Sequence, residues 1–189
     1  MEEKGVTGEL KPDDRFDSLY DGHRVALVAY CRRRVTRDVV DDVMAEVFLS
    51  AWRRIDQIPE GAELPWLYGV ARNVVANHRR GDTRRSRLGL RVVGERPESS
   101  AEDAAGGVMG EATLVLSALA ELSDADQELL RLRAWEDLPS AAIAIALGIN
   151  AAAVDMRLSR ARRRLEDSLK KLATSNEDAS TRVNWEGMS

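Results

Sequence analysis

The sequence predicts an all-α protein made of two small helical domains, the second of which is a helix-turn-helix. Apolar residues recur at three- and four-residue steps in two long stretches, as amphipathic helices require. Alternating apolar and polar runs are absent, and aromatic residues make up only 5% of the chain. A glycine-rich acidic segment separates the two stretches. We expect a disordered N-terminus over 1–12, a helical domain over 13–80, a flexible acidic linker over 81–110, a helix-turn-helix domain over 111–172 and a disordered tail over 173–189.

Three helices are predicted in the first domain. The first covers 13–34, and the second covers about 36–54, where apolar doublets four residues apart place a broad stripe against a core. Pro59 and Gly61 then interrupt the chain. Pro65 stands in the first turn of a third helix, where its missing N–H has no intrahelical partner to lose.

The second domain contains the most informative local pattern. Ser123 resembles a helix N-cap, and a later short helix ends at Leu147. Gly148 can adopt the left-handed conformation that ends a helix, and Asn150 can cap a long basic helix that follows. A helix, a glycine-containing turn and a basic helix are typical of the DNA-binding helix-turn-helix, although an ordinary helical hairpin is the alternative.

The net charge of −4 is the sum of blocks of opposite sign. Residues 31–91 carry a net charge of +5, residues 92–128 carry −8 and residues 129–172 carry +4. This order suggests two anion-facing modules joined by an acidic connector. The alternative is that the charged helix faces are merely solvated.

Several classes of protein are disfavoured by what the sequence lacks. Its single cysteine, Cys31, cannot form an intramolecular disulfide and suits a reducing compartment. The longest apolar runs are shorter than the roughly 18 residues of a membrane span, and the acidic N-terminus is unlike a secretory signal. We therefore expect a cytoplasmic protein with no membrane insertion.

Catalysis is not expected from this chain. His23, His78 and Cys31 are the residues with near-neutral or soft chemistry, and their spacing matches neither a metal site nor a catalytic triad. The Gly106–Gly110 segment lacks the lysine and the preceding strand of a phosphate-binding loop. The sequence thus predicts no enzyme activity, no cofactor and no metal.

Two groups of segments resemble a known family. Residues 42–53 (DVMAEVFLSAWR) and 65–73 (PWLYGVARN) resemble the segment of sigma factors that binds polymerase and opens promoters. Residues 118–122, 144–149 and 157–163 resemble the C-terminal helix-turn-helix of the same proteins. The likeness is to the small extracytoplasmic-function (ECF) group of the sigma-70 family, in the family's order, over about 13–172.

This resemblance implies a subunit that binds bacterial RNA polymerase core, recognises promoter DNA, opens the duplex and starts transcription. It also implies an anti-sigma factor as a partner. Two modules on a tether suit this role, because the tether raises the effective concentration for the second DNA contact. The alternative is a helix-turn-helix regulator that acts without replacing the polymerase specificity subunit. That alternative is motivated by Ala45 and Asp155, which depart from the residues usual in the family.

The resemblance implies that one face of the second helix docks on the clamp helices of the largest polymerase subunit. Positions four and three residues apart share a helix face, here the one opposite the buried doublets. Trp52 could instead be wholly part of the core. The implied polymerase-binding residues are Asp42, Glu46, Leu49 and Trp52.

The third helix is expected to meet the upstream promoter element as the duplex opens. Arginine and asparagine side chains would contact phosphates and base edges, and two aromatic rings would stack on bases. A core position is the alternative for Trp66. The candidate residues are Trp66, Tyr68, Arg72, Asn73, Asn77, Arg79 and Arg80.

The long basic helix is expected to enter the major groove of the other promoter element. The run 151–153 is all alanine and offers little hydrogen bonding, and Met156 replaces a small polar residue common in the family. Asp155 could accept a hydrogen bond from a cytosine amine or be repelled by phosphate. The candidate residues are Asp155, Arg157, Ser159, Arg160, Arg163 and Arg164.

The acidic linker has two possible roles. It could be a solvated connector, consistent with its glycine, serine and glutamate content. The resemblance implies instead that it runs toward the active site and the RNA-exit path of polymerase, where negative charge imitates nucleic acid. The residues concerned are Glu95, Glu98, Glu102 and Asp103.

Overall fold

The computed structural model describes residues 12–87 and 108–186, and side chains within 13–81 and 112–174. Over these residues every regular element is a helix, which confirms the all-α prediction. The chain divides into two compact units, with the boundary between residues 98 and 99. Residues 1–11 of the predicted disordered N-terminus and most of the predicted linker, including its four acidic candidates, lie outside the described residues, whereas Pro12 already begins the first helix.

The first unit is a bundle of three helices that all contact one another. Helix α1 covers Pro12–Arg32, α2 covers Arg37–Arg53 and α3 covers Glu63–Arg87, with a short 3-10 turn at Ile55–Gln57. The end of α3 lies beyond the domain boundary expected at residue 80. No proline follows until well after this point, and a single helical glycine such as Gly81 costs only about 1 kcal/mol relative to alanine.

The core of the first unit follows the predicted periodicity. The inner face of α2 is buried over its whole length between α1 and α3. Leu27 and Leu67 are fully buried and represent the contributions of α1 and α3. The buried residues of α2 are Val40, Val43, Met44, Val47, Phe48 and Ala51.

The second unit is built around one long helix. Helix α4 covers Val108–Ala120, α5 covers Asp124–Ala134 and α6 covers Ser140–Leu147, and each of them packs on α7, Ala151–Glu186. Helix α7 thus continues through most of the segment expected to be a disordered tail after residue 172. The physical reason is that neither proline nor glycine interrupts the chain within α7.

The local signals for helix ends in this unit are confirmed. The Ser123 hydroxyl accepts a hydrogen bond from the Asp126 N–H at 3.2 Å and caps α5. Gly148 has φ 64° and ψ 36°, the left-handed conformation predicted for it. The Asn150 side-chain oxygen accepts from the Ala153 N–H at 2.7 Å and caps α7. Because α6 and α7 meet at a bend of 99°, the pair forms a helix-turn-helix.

No single helix in the described ranges combines the length and the apolar character that a membrane span needs. The bent pair formed by α6 and the first part of α7 passes a test of length and composition only when both helices are counted together.

Candidate protein and nucleic-acid interfaces

The solvent side of α2 presents the residues that were predicted to bind polymerase. Asp42 and Glu46 are exposed, and the large apolar side chains Leu49 and Trp52 are 47% and 43% exposed. The apolar stripe of α2 lies on the opposite side of the helix and is buried in the core. We call the surface formed by these four residues the α2 outer face.

Trp52 belongs neither wholly to the core nor wholly to the solvent. Its ring meets the edge of the Phe16 ring at 5.1 Å between centroids, with the planes at 88°. Phe16 also packs edge-on against Phe48 at 6.1 Å, and Tyr20 packs against Phe48 at 4.6 Å. This aromatic cluster of α1 and α2 holds Trp52 in place while leaving part of its ring exposed.

Two of the cluster members were missed as neighbours of the predicted site. Phe16 and Tyr20 lie on α1, more than 25 residues before Leu49 and Trp52, and Tyr20 is exposed. Helical periodicity shows that both residues belong to the stripe of α1. It does not show that this stripe ends beside Trp52, because that proximity depends on how α1 packs against α2.

A side-chain hydrogen bond connects the α2 outer face to α3. The Nε2 atom of His78 lies 3.0 Å from the Oε1 atom of Glu46. The structure thus gives His78 a specific partner 32 positions away. The pair therefore joins the helix expected to contact polymerase to the helix expected to contact DNA.

The structure corrects the role expected for Tyr68. Its side chain is 3% exposed and its ring stacks on that of Tyr30 at 4.9 Å, with the planes at 30°. Leu67, Ala71 and the valines of the following turn are buried with it, so position 68 lies on the face of α3 that packs in the bundle. Tyr68 is thus a core residue in this structure, with no free ring face for a base.

The other candidates on α3 differ in their availability. Trp66 and Arg72 are half-buried, and Asn73 is exposed. Neither Arg72 nor Asn73 makes a side-chain hydrogen bond or ion pair with the described part of the chain. Part of the Trp66 ring is therefore at the surface, and the polar groups of Arg72 and Asn73 have no partner within the described residues.

The arginines in the C-terminal part of α3 make hydrogen bonds within the protein. The Nη2 atom of Arg79 donates to the Arg34 carbonyl at 3.0 Å, which anchors this guanidinium to the turn after α1. Arg80 donates to the side-chain oxygen of Asn77 one turn earlier. The side chains of Asn77, Arg79 and Arg80 are nevertheless all exposed.

On α7 the structure separates free cations from paired ones. Arg157, Arg160 and Arg163 are exposed and have no hydrogen-bonding or ionic partner within the described residues. Ser159 is exposed on the same helix. Arg164 instead pairs with Asp126 of α5 at 2.5 Å, so its first contact is within the protein.

Asp155 is also held within the protein. The Ser140 hydroxyl, at the start of α6, donates to the Oδ1 atom of Asp155 at 2.5 Å. The sequence left open whether this carboxylate reads a cytosine or repels a phosphate. The hydrogen bond directs Oδ1 toward α6, which gives Asp155 a role in joining the two helices of the motif.

Polar side chains connect α7 to the turn between α4 and α5. The buried Ser168 hydroxyl donates to Glu121 at 2.7 Å, and Lys171 lies 3.7 Å from the same carboxylate. These contacts join α7 to the turn that follows α4. Within the ranges that the structure describes, no group of three or more His, Cys, Asp or Glu side chains is placed to hold a metal ion.

Two helical units, the second a helix-turn-helix with unpaired cations on its long helix, define a class of DNA-binding transcription proteins. The family profile described as Sigma-70 region 2 matches residues 19–85, and Sigma-70, region 4 matches residues 112–165. These two matches cover the two compact units in turn. The first match includes the candidate residues of α2 and α3, and the second includes those of α7.

Individual proteins extend the match along the chain. The ECF RNA polymerase sigma factor SigL of Mycobacterium tuberculosis is 32% identical over 159 residues, which cover 82% of this chain and 89% of SigL. The solved structure of CnrH in complex with the cytosolic domain of CnrY is similar, with a TM-score of 0.56, 25% identity and coverage of 82% of this chain and 88% of the other. The sigma factor RpoE of Bartonella quintana, at 22% identity, shares the fold with a TM-score of 0.60, over 82% and 96% of the two chains.

The chain belongs to the ECF group of the sigma-70 family, and it is an RNA polymerase sigma factor. The resemblance identified from the sequence is therefore confirmed. A regulator that leaves the polymerase specificity subunit in place is not favoured, because both sigma-factor regions are matched, in order.

Proposed function

We propose that this sigma factor binds RNA polymerase core through the α2 outer face. The observation that carries the proposal is the exposure of Leu49 and Trp52 beside two carboxylates, on a helix whose own apolar stripe is already buried. Large exposed apolar side chains grouped in this way mark interaction surfaces. Tryptophan is also enriched among the residues that contribute most to binding energy.

The two carboxylates give this surface its polarity. Asp42 and Glu46 are exposed at the border of the apolar pair, where charge contributes more to the association rate and orientation than to affinity. They suit a basic partner surface. The Glu46–His78 pair holds one of these carboxylates in a defined position before binding.

Helix α3 is proposed to contact the promoter where the duplex opens. Arg72 and Asn73 support this role because their polar groups have no partner within the described ranges, and Asn77 and Arg80 extend the polar surface by one turn. Opening a duplex costs a few kcal/mol per extruded base, which stacking and backbone contacts offset. Trp66 is the aromatic candidate for that stacking.

Helix α7 is proposed to bind the other promoter element in the major groove. Its support is the set of unpaired cations, Arg157, Arg160 and Arg163, with Ser159 between them. Phosphate contacts of this kind position a helix on DNA without reading its sequence. Arg164 would contribute only by giving up its ion pair with Asp126.

Three broader features complete the proposal. The protein acts in the cytoplasm, has no catalytic chemistry of its own, and is controlled by an anti-sigma factor. The support for such a partner is that the similar structure of CnrH contains the cytosolic domain of CnrY, and that of the Bartonella quintana sigma factor contains the anti-sigma factor NepR.

The α2 outer face can be tested by binding to purified RNA polymerase core. We expect Leu49→Ala/Trp52→Ala to weaken binding by at least about tenfold, since loss of two central apolar contacts is worth more than about 1.4 kcal/mol. Transcription from promoters selected by the wild-type holoenzyme should fall accordingly. Circular dichroism should show that the variant remains folded.

Val25→Ala is the matched control, because Val25 is an apolar side chain of α1 that is 76% exposed and outside the α2 outer face. It should bind core polymerase like the wild type. Wild-type affinity in the folded double variant would contradict the proposed binding surface.

A further inference from the structure

The exposed side of α7 changes character along the helix. Ala152 and Met156 lie near its N-terminus, and Arg160 and Arg163 follow on the same face at steps of four and three residues. We call this surface the recognition face. It lies opposite the stripe that α7 buries in its own unit, which includes Val154, Leu158 and Ala161.

Met156 is a large apolar side chain exposed on the recognition face. It is 53% exposed, although methionine is an apolar residue that usually fills gaps in a core. It lies in the second turn of α7, and the N-terminal turns of a recognition helix are those that reach base edges. About half of Met156 is therefore left uncovered by the described residues of its own unit.

The surroundings of Met156 offer few hydrogen bonds to a base. Between positions 151 and 156 the single polar side chain is that of Asp155, and Ser140 holds its Oδ1 atom at 2.5 Å. The side-chain oxygen of Asn150, just before α7, caps the helix through the Ala153 N–H. The part of the recognition face that would approach the bases is consequently apolar.

An apolar probe in the major groove has one distinctive target. Guanine, cytosine and adenine present hydrogen-bonding groups there, whereas thymine adds a C5-methyl group that is read by apolar contact. Methionine suits this target because its unbranched thioether adapts to the shape of its partner. Arg160 and Arg163, unpaired on the same face, would hold the neighbouring phosphates.

We propose that Met156 is a specificity-determining residue that contacts the C5-methyl group of a thymine in the promoter element bound by α7. This inference rests on the proposed function, which places α7 in the major groove. It assigns sequence discrimination to a van der Waals contact of one apolar side chain, while the arginines supply affinity that is independent of sequence.

Replacing thymine by deoxyuridine tests the contact directly, because this change removes the methyl group and keeps every base-pairing atom. Holoenzyme reconstituted from core polymerase and the full chain first selects promoters from random DNA. Each thymine of the element bound by α7 is then replaced in turn. For the wild type we expect one or two positions at which binding weakens about fourfold, the effect of losing one buried methyl group.

Three variants identify the residue responsible. Met156→Ala should bind thymine and deoxyuridine DNA equally, whereas Met156→Leu should retain most of the discrimination because it keeps an apolar side chain of similar volume. Ile145→Ala is the matched control, since Ile145 is an apolar residue of α6 that is 42% exposed and outside the recognition face. It should discriminate like the wild type.

Several outcomes would overturn the inference. These are a selected element without thymine, equal binding of both DNAs by the wild type, and undiminished discrimination by Met156→Ala. Suppose that the wild type shows no preference and that Met156→Ala weakens binding to thymine DNA and to deoxyuridine DNA by the same factor. Met156 would then contribute through a contact within the protein and not through a thymine methyl group. If Arg160→Ala and Arg163→Ala leave promoter binding unchanged, the proposed role of α7 itself fails.

Discussion

Tyr30 organises the part of the first unit where a DNA-stacking residue was expected. The Tyr68 ring stacks on it, and the guanidinium of the buried Arg34 lies 3.5 Å from its ring centroid. Arg34 also donates to the Tyr30 carbonyl at 3.1 Å, so this buried cation has both an aromatic and a polar contact. Contacts of this kind stabilise a desolvated arginine by about 2 kcal/mol or more.

This arrangement predicts different effects for two changes at Tyr68. Tyr68→Ala should lower the free energy of unfolding by about 3–5 kcal/mol, because it removes a large buried ring and leaves a cavity. Tyr68→Phe, the matched control, keeps the stacked ring and should have a much smaller effect. Urea unfolding of the full chain measures both.

A base-stacking role for Tyr68 makes the opposite prediction. In that case Tyr68→Ala would fold with wild-type stability and fail selectively in promoter opening. That result would support a direct contact between Tyr68 and DNA, and it would contradict the burial described above.

The turn between α6 and α7 shows how one backbone conformation sets the geometry of a helix pair. Gly148 is left-handed, and the Ile149 N–H donates to the Ala144 carbonyl at 3.0 Å, closing the end of α6. Asn150 starts α7 two residues later. The direction of α7 relative to α6 thus follows from consecutive local bonds within a few residues.

Two glycine substitutions should therefore change stability in opposite directions. A Cβ atom at Gly148 would meet nothing within 4 Å, so Gly148→Ala should destabilise by about 1–2 kcal/mol through left-handed strain alone. A Cβ at the helical Gly22 also meets nothing, and Gly22→Ala should stabilise by about 0.5–1 kcal/mol. Thermal unfolding monitored by circular dichroism tests both signs, and a stabilising Gly148→Ala would contradict the left-handed assignment.

The charge distribution of the whole chain makes its net charge a poor guide to its partners. The overall value is −4, yet α7 presents unpaired arginines and the α2 outer face presents carboxylates. These two surfaces of opposite charge suit the two proposed partners, DNA and a basic surface of polymerase. Binding to DNA should consequently depend on salt despite the negative total.

Salt dependence provides a test of the cations on α7. Arg157→Ala, Arg160→Ala and Arg163→Ala should each reduce the slope of log K against log salt by about 0.9 for holoenzyme binding to promoter DNA, if each neutralises one phosphate. Arg24→Ala, an exposed and unpaired arginine of α1, is the charge-matched control and should leave the slope unchanged. Unchanged slopes for all three α7 variants would contradict major-groove docking by this helix.

Local patterns were enough to predict the helices and most of their caps. The glycine at 148 and the caps at Ser123 and Asn150 involve hydrogen bonds that span five residues or fewer, so their partners are visible in the chain. The exposure of Leu49 followed from helical spacing in the same way. The ends of α3 and α7 were underestimated because neither segment carries a strong stop signal, and weak helix formers still extend an existing helix.

Contacts between distant parts of the chain could not be read from such patterns. The Glu46–His78 pair spans 32 positions, the Asp126–Arg164 pair 38 and the Ser140–Asp155 bond 15. Each depends on which helix faces pack together. Apolar periodicity shows which face of a helix is buried, but not which other helix packs on that face. The sequence alone therefore specified the positions of the helices and turns, because these arise from interactions between neighbouring residues. The burial of Tyr68, the partial exposure of Trp52 and the hydrogen bond of Asp155 followed only from the tertiary structure, because these depend on packing between helices.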